Sequence, residues 1–131
     1  MQSALELHDS KIASVEQSGN SLVLHFSSAY IHHSEGNPAV SSGEVFSQPA
    51  LLEFTCASWS DWLPSQPETI SDGEIVVNGE ALSLIPCNFQ SSSPVQARFV
   101  FVSGRTVTIS AASITLMLTG AADWVESYVG N

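Results

Sequence analysis

Asn78-Gly79 stands between Glu74-Ile75-Val76-Val77 and Glu80-Ala81-Leu82-Ser83-Leu84-Ile85, and no other pair of residues constrains the fold of this chain as much. A two-residue type I′ turn needs positive φ at both central positions, which Asn and Gly tolerate, and the flanking runs alternate with the strand period of two. An antiparallel hairpin follows. Two more turn signals repeat the pattern. Ser18-Gly19-Asn20 separates residues 11–16 from Leu22-Val23-Leu24-His25-Phe26, and Ser103-Gly104 separates 96–102 from 105–109. In the first of these, Leu22, Leu24 and Phe26 share one face, with Val23 and His25 on the other.

The remaining segments fit the same class. Residues 50–57 read as a strand with Leu52, Phe54 and Cys56 on one side. In 113–118, Ile114, Leu116 and Leu118 alternate after a bend at Ala111-Ala112. Residues 30–49, with His32, His33, Gly36, Pro38, Gly43 and Pro49, read as a long connection, and 88–94 as a polar serine-rich loop. After Gly120 the spacing of Trp124, Val125 and Tyr128 predicts two helical turns over 121–128, facing the sheet. No long amphipathic window separates the strands, so hairpins are favoured over βαβ units. The expected fold is all-β: an antiparallel sandwich or barrel of about seven strands with a short C-terminal helix. No linker or repeat divides residues 1–131, and one domain is expected.

Charge removes several functions. The only cations are Lys11, Arg98 and Arg105, against thirteen Asp and Glu, for a net charge of −10. Nucleic-acid binding draws on several Lys or Arg on one face, so it is not expected; nor is docking on an anionic membrane. A basic protein is the partner that the charge suits. No apolar stretch is long enough to span a bilayer, and no basic-then-apolar leader opens the sequence, so a cytoplasmic place is expected. Cys56 and Cys87, in apolar strand-like contexts and without a CxxC motif, are expected to be reduced and buried.

Three constellations carry candidate chemistry. The first lies in Leu5-Glu6-Leu7-His8-Asp9-Ser10-Lys11-Ile12, where polar side chains gather as a first strand begins. Continuing the register of the first hairpin places His8 across from Tyr30 and Ile31, near His32 and His33. His8, Asp9 and His32, with Glu35 near, are thus candidates for acid–base or metal chemistry, since imidazole titrates near neutrality. Strand alternation opposes this. It turns Asp9 away from His8 and His32 away from His33, and no HxH, HxxxH or HExxH spacing is present, so neither a metal site nor a cofactor is expected. Asp9 and Ser10 also have a structural use, turning the chain by bonding backbone N–H groups.

The second constellation is Trp59-Ser60-Asp61-Trp62, in which indoles and a carboxylate on a loop would suit a sugar, although loop tryptophans commonly plug the open end of a sheet. The third is serine itself. It is abundant, but no GxSxG elbow accompanies it, and serine-catalysed hydrolysis is not expected. Glu74 with Glu80, and Asp123 with Glu126, read as solvated charges.

Leu7-His8-Asp9-Ser10-x-Ile12, the glycine turn and Leu22-Val23-Leu24-His25-Phe26 together resemble the opening of small bacterial β-rich proteins of unassigned function. Among them are immunity proteins of polymorphic toxin systems. The resemblance covers the N-terminal hairpin and, more loosely, the Ser103-Gly104 hairpin and the closing segment. Leu7 stands where an aromatic residue often precedes the histidine. It implies a bacterial, cytosolic, non-enzymatic protein and transfers no catalytic residue. The leading expectation is therefore a non-enzymatic protein-interaction module. The alternatives are a metal- or small-ligand-binding protein or enzyme using His8, Asp9 and His32, and a carbohydrate-binding module using Trp59, Asp61 and Trp62. Oligomeric state is left open.

Overall fold

All three turn signals close hairpins in the computed structural model, which describes residues 2–35, 42–60, 62–82 and 84–129. Asn78 (φ 51°) and Gly79 (φ 80°) both take the positive φ of a type I′ turn, and Val77 pairs with Glu80 across them. Gly19 (φ 61°) lies between the paired Ser18 and Ser21, and Gly104 (φ 91°) turns the chain between Phe101 and Arg105.

Twelve strands are present among the described residues: β1 Gln2–Ser18, β2 Ser21–Ser34, β3 Gly43–Thr55, β4 Ser58–Trp59, β5 Glu68–Val77, β6 Glu80–Leu82, β7 Leu84–Pro86, β8 Gln90–Ser91, β9 Val95–Phe101, β10 Thr106–Ala111, β11 Ser113–Leu118 and β12 Asp123–Tyr128. The main path runs β4-β10-β9-β5-β1-β2-β3-β11-β8, with β6 on β5, β7 on β1 and β12 on β3, and every pairing is antiparallel. The path is open, ending on β4 and β8.

Two half-sheets meet at a short ladder in which Lys11 pairs with Thr69 and Ile12 with Glu68. The chain recrosses at Ala112, since β10 pairs with β9 while β11 pairs with β3. The bend expected at Ala111-Ala112 is thus a change of half-sheet. Leu22, Leu24, Phe26, Leu52, Phe54, Ile114 and Leu116 from one half join Ile70, Ile75, Phe99, Phe101, Val107 and Ile109 from the other in a single core. Burying one such Leu, Ile or Phe side chain contributes about 1.5–3 kcal/mol. Leu82 and Leu84, whose alternation in the run after Asn78-Gly79 would turn both toward that core, are only half-buried. The second arm leaves β5 after Leu82, and β7 pairs instead with residues 4–6 of β1.

Four expectations are corrected. The strand count among the described residues is twelve rather than about seven, in part because the short ladders β4 and β8 form where loops were expected and the arm expected over 80–85 is divided between β6 and β7. The 30–49 connection is mostly strand, with β2 running to Ser34 and β3 starting at Gly43. Pro49 is accommodated inside β3 because it sits where the β2 register slips between Phe26 and Ala29, so no ladder donor is missed there. The C-terminal helix is absent: 123–128 is strand β12, paired with β3. Trp, Val and Tyr favour strands, and the free edge of β3 supplies the pairing. Finally, Cys56 is exposed and Cys87 half-buried, both as free thiols. Cys56 follows the end of β3 with φ 48°, which breaks the alternation that would have turned it inward.

Candidate functional site

The site begins with a bulge. Glu6 pairs with Tyr30, but the next β1 residue in the ladder is Lys11, opposite Ser28, so residues 7–10 face one intervening residue of β2. Within this insertion Leu7 and Ser10 turn inward (2% and 0% exposed), while His8 and Asp9 are pushed to solvent. Asp9 takes φ 70°, a left-handed conformation that Asp tolerates better than most residues. The Ser10 hydroxyl locks the turn by donating to the Glu6 carbonyl at 2.6 Å and accepting the Tyr30 N–H at 3.1 Å.

The bulge moves the register by two residues. Glu6, not His8, lies across from Tyr30, and Leu5 lies across from Ile31. A shift of two preserves the face, so Glu6 takes the place expected for His8. His32, 8% exposed, donates from Nε2 to Glu6 Oε2 at 3.0 Å, because a carboxylate offers only acceptors. The Tyr128 ring stands edge-on to the imidazole at 5.4 Å. His33 points to the other face, against Ser3 Oγ at 3.1 Å and the Phe46 ring at 4.7 Å.

The three candidates for acid–base chemistry therefore separate. His8 and Asp9 stay together, Nδ1 to Oδ2 at 3.4 Å, as an exposed pair, whereas His32 belongs to Glu6. Among the described residues no three His, Cys, Asp or Glu side chains converge as metal ligands would.

What does converge is a notch of about 180 Å³ lined by Glu6, Asp9, Tyr30, Val45, Val125 and Glu126. Three elements build it: the bulge of β1, the β2–β3 ladder, and β12. Glu6, Tyr30 and Val45 share one sheet face by register, and Glu126 joins them opposite Val45. Its three carboxylates face no Lys or Arg in the lining. It is smaller than the roughly 300–1,000 Å³ typical of small-molecule pockets, and suits a single side chain. Of its residues the sequence reading named only Asp9 as a candidate. Glu6 and Tyr30 were hidden by the bulge, and Glu126 by reading β12 as a helix. The signal available was Asp9-Ser10 itself, a pair that turns chains.

The tryptophan constellation falls in the other half of the molecule. Trp59 is half-buried on β4, beside Ile109 of β10. The Trp62 ring meets Phe101 edge-on at 5.7 Å and lies under the Arg105 guanidinium at 5.0 Å. Trp62, Ser65, Gln66, Glu68, Ser103 and Arg105 line a cleft of about 200 Å³, in which Ser103 Oγ donates to Glu68 at 2.6 Å. Both indoles pack against the core. Asp61 lies outside the described residues.

No protein-family model matches the chain, and no curated protein or solved structure matches it. No helix among the described residues is long and apolar enough to cross a membrane.

Proposed function

We propose that this protein is a non-enzymatic interaction module that receives a cationic side chain of a basic protein in the notch around Glu6, Asp9 and Glu126. One observation carries the reading: three carboxylates line one small concavity with no cation among its walls. The wider charge pattern agrees. Arg98 and Arg105 belong to the β9–β10 half and Lys11 to the junction, while β2, β3, β11 and β12 contain no Lys or Arg. A field of one sign steers an oppositely charged partner toward that half and speeds encounter.

On this reading the two half-sheets stack as a sandwich, and the partner is a basic protein, such as a toxin domain, met in the cytoplasm of a bacterium. The resemblance of the N-terminal hairpin to toxin-immunity proteins supports that class. An enzyme built on His8, Asp9 and His32 is not favoured, because the bulge holds His8 and Asp9 as an exposed pair while His32 is engaged by Glu6. A sugar site on Trp62 is not favoured either, because the ring is engaged by Phe101 and Arg105.

The test is an NMR titration with a short lysine-rich peptide at low and moderate salt. Binding should perturb the amides around Glu6, Asp9, Tyr30 and Glu126, weaken with salt, and fall in a Glu6→Gln, Asp9→Asn double variant. Perturbations spread evenly over the surface, or binding untouched by the double variant, would overturn the proposal.

A further inference from the structure

The rows of side chains that cross the sheet at this end stop abruptly on β12. On one face Leu5, Ile31, Phe46 and Trp124 are successive cross-strand neighbours. Leu5 and Ile31 are 0% exposed, Phe46 is half-buried and Trp124 is 59% exposed. The apolar row thus runs off the edge of the protein with its largest side chain outermost. On the opposite face, Ala4, His32 and Val45 lead to Glu126, and Glu6, Tyr30 and Ser47 lead to Asp123. Those rows end in carboxylates. A register shift between Trp124 and Glu126 sets this pattern, because the extra Val125 turns Trp124 to one face and Glu126 to the other.

β12 is also an edge. Among the described residues its only ladder partner is β3, so from Asp123 to Ser127 the other side of the strand has no strand against it. Sheet edges of this kind are templates for a further strand, and they are commonly protected by lysine, proline or covering loops. This one contains neither Lys nor Pro, and Trp124, Val125 and Val129 are three of the five exposed large hydrophobic residues among the described residues.

We infer that β12 accepts an extended segment of the basic partner as an added strand. The segment alternates a cation, an apolar residue and a cation, placed opposite Asp123, Trp124 and Glu126. Backbone bonds along the edge supply the attachment, and the side-chain rows set the choice of sequence. The apolar residue extends the Leu5–Ile31–Phe46 row beside Trp124, and the cations meet the two carboxylates. The occupant is not a second copy of this chain, because two molecules of charge −10 repel and β12 itself would bring acid against acid. This inference rests on the proposed basic partner and adds the mode in which it binds.

The experiment uses the whole protein and a synthetic peptide of sequence Thr-Lys-Val-Lys-Thr, acetylated and amidated at its ends, with an analogue N-methylated at its central amides. N-methylation keeps the charge and removes the ladder donors. Expected are slowed hydrogen exchange of amides in 123–127 with the parent peptide only, and a shift of the Trp124 indole resonance. A loss of affinity of about tenfold is expected in an Asp123→Lys, Glu126→Lys variant, whose changes sit at exposed positions. Equal binding of both peptides, with shifts at Glu6 and Asp9 but no protection in β12, would overturn strand addition and leave the notch reading standing. Binding of neither would overturn both. Protection of the same amides without peptide, together with a dimer in sedimentation, would assign the edge to a second copy and overturn the inference.

Discussion

The Ser10 hydroxyl takes the backbone N–H of Tyr30 at 3.1 Å and returns its own proton to the Glu6 carbonyl at 2.6 Å, so one fully buried side chain closes the gap that the β1 bulge opens in the β1–β2 ladder. Glu6 and Tyr30 are the last ladder partners before the bulge, and the Ser10 hydroxyl bridges their backbone groups where regular pairing stops. The bulge in turn places Asp9 on the rim of the notch. Geometry at the candidate site therefore depends on a residue that does not line it.

Ser10→Ala takes this partner from the Tyr30 N–H and the Glu6 carbonyl, whose surroundings are part-buried. The expected loss is about 1–2 kcal/mol, from the cost of unmade hydrogen bonds. Urea unfolding should show a lower midpoint with an unchanged slope. A midpoint equal to wild type would mean that water or a shifted backbone takes over the role.

Gly43 and Gly79 should respond to alanine for different reasons. A Cβ on Gly43 would lie 2.1 Å from the His33 carbonyl oxygen and 3.0 Å from the Tyr128 hydroxyl, so β2 and β3 would have to part. A loss of at least about 2 kcal/mol is expected, since the obstacle is backbone and cannot rotate away. A Cβ on Gly79 meets nothing within 4 Å, and only its φ of 80° resists substitution, at about 1–2 kcal/mol. Thermal melts of the two variants should rank Gly43→Ala below Gly79→Ala. The reverse order would contradict the packing described for the β2–β3 end.

Which parts of the fold were legible follows from where local chemistry and tertiary context agree. Asn78-Gly79 and the alternating runs beside it specify their hairpin unaided, because positive φ and strand period are properties of those few residues. Leu22, Leu24 and Phe26 were placed correctly on one face for the same reason. The position of His8 is not legible locally, because a register carried straight through Asp9-Ser10 misses that residues 7–10 oppose a single residue of β2. Residues 123–128 carry a helical spacing because the bulge at Val125 disguises the two-residue period, and the pairing edge is about eighty residues earlier in sequence. The alternation of Leu52 and Phe54 points Cys56 inward because nothing local announces that β3 stops at Thr55.

Trp62 and Arg105 give a graded prediction. Trp62 packs on Phe101, so Trp62→Ala should cost about 2–3 kcal/mol, less than a fully buried tryptophan. Arg105 lies over the ring at an exposed position, and Arg105→Ala should cost at most about 0.5–1 kcal/mol. Chemical denaturation of both variants separates the two. If Arg105→Ala proves the more damaging, the guanidinium rather than Phe101 holds the indole in place.

The thiols should react at very different rates. Cys56 is exposed, so a disulfide reagent at pH 8 reaches it freely. Burial raises the Cys87 thiol to about 11, which starves it of the reactive thiolate as well as of access. One equivalent should therefore react rapidly and the second only slowly, with Cys56→Ala abolishing the fast phase. The same shift links stability to pH. Up to about pH 9 the Cys87 thiol is protonated in folded and unfolded chains alike, and its contribution is fully present. Between 9 and 11 the unfolded chain ionises first, so stability falls as pH rises through that window. Cys87→Ala should flatten that part of the curve after correction for its own loss of packing. A fall of equal steepness in the variant would assign the alkaline loss to other groups, and fast labelling of both thiols in wild type would contradict the burial of Cys87.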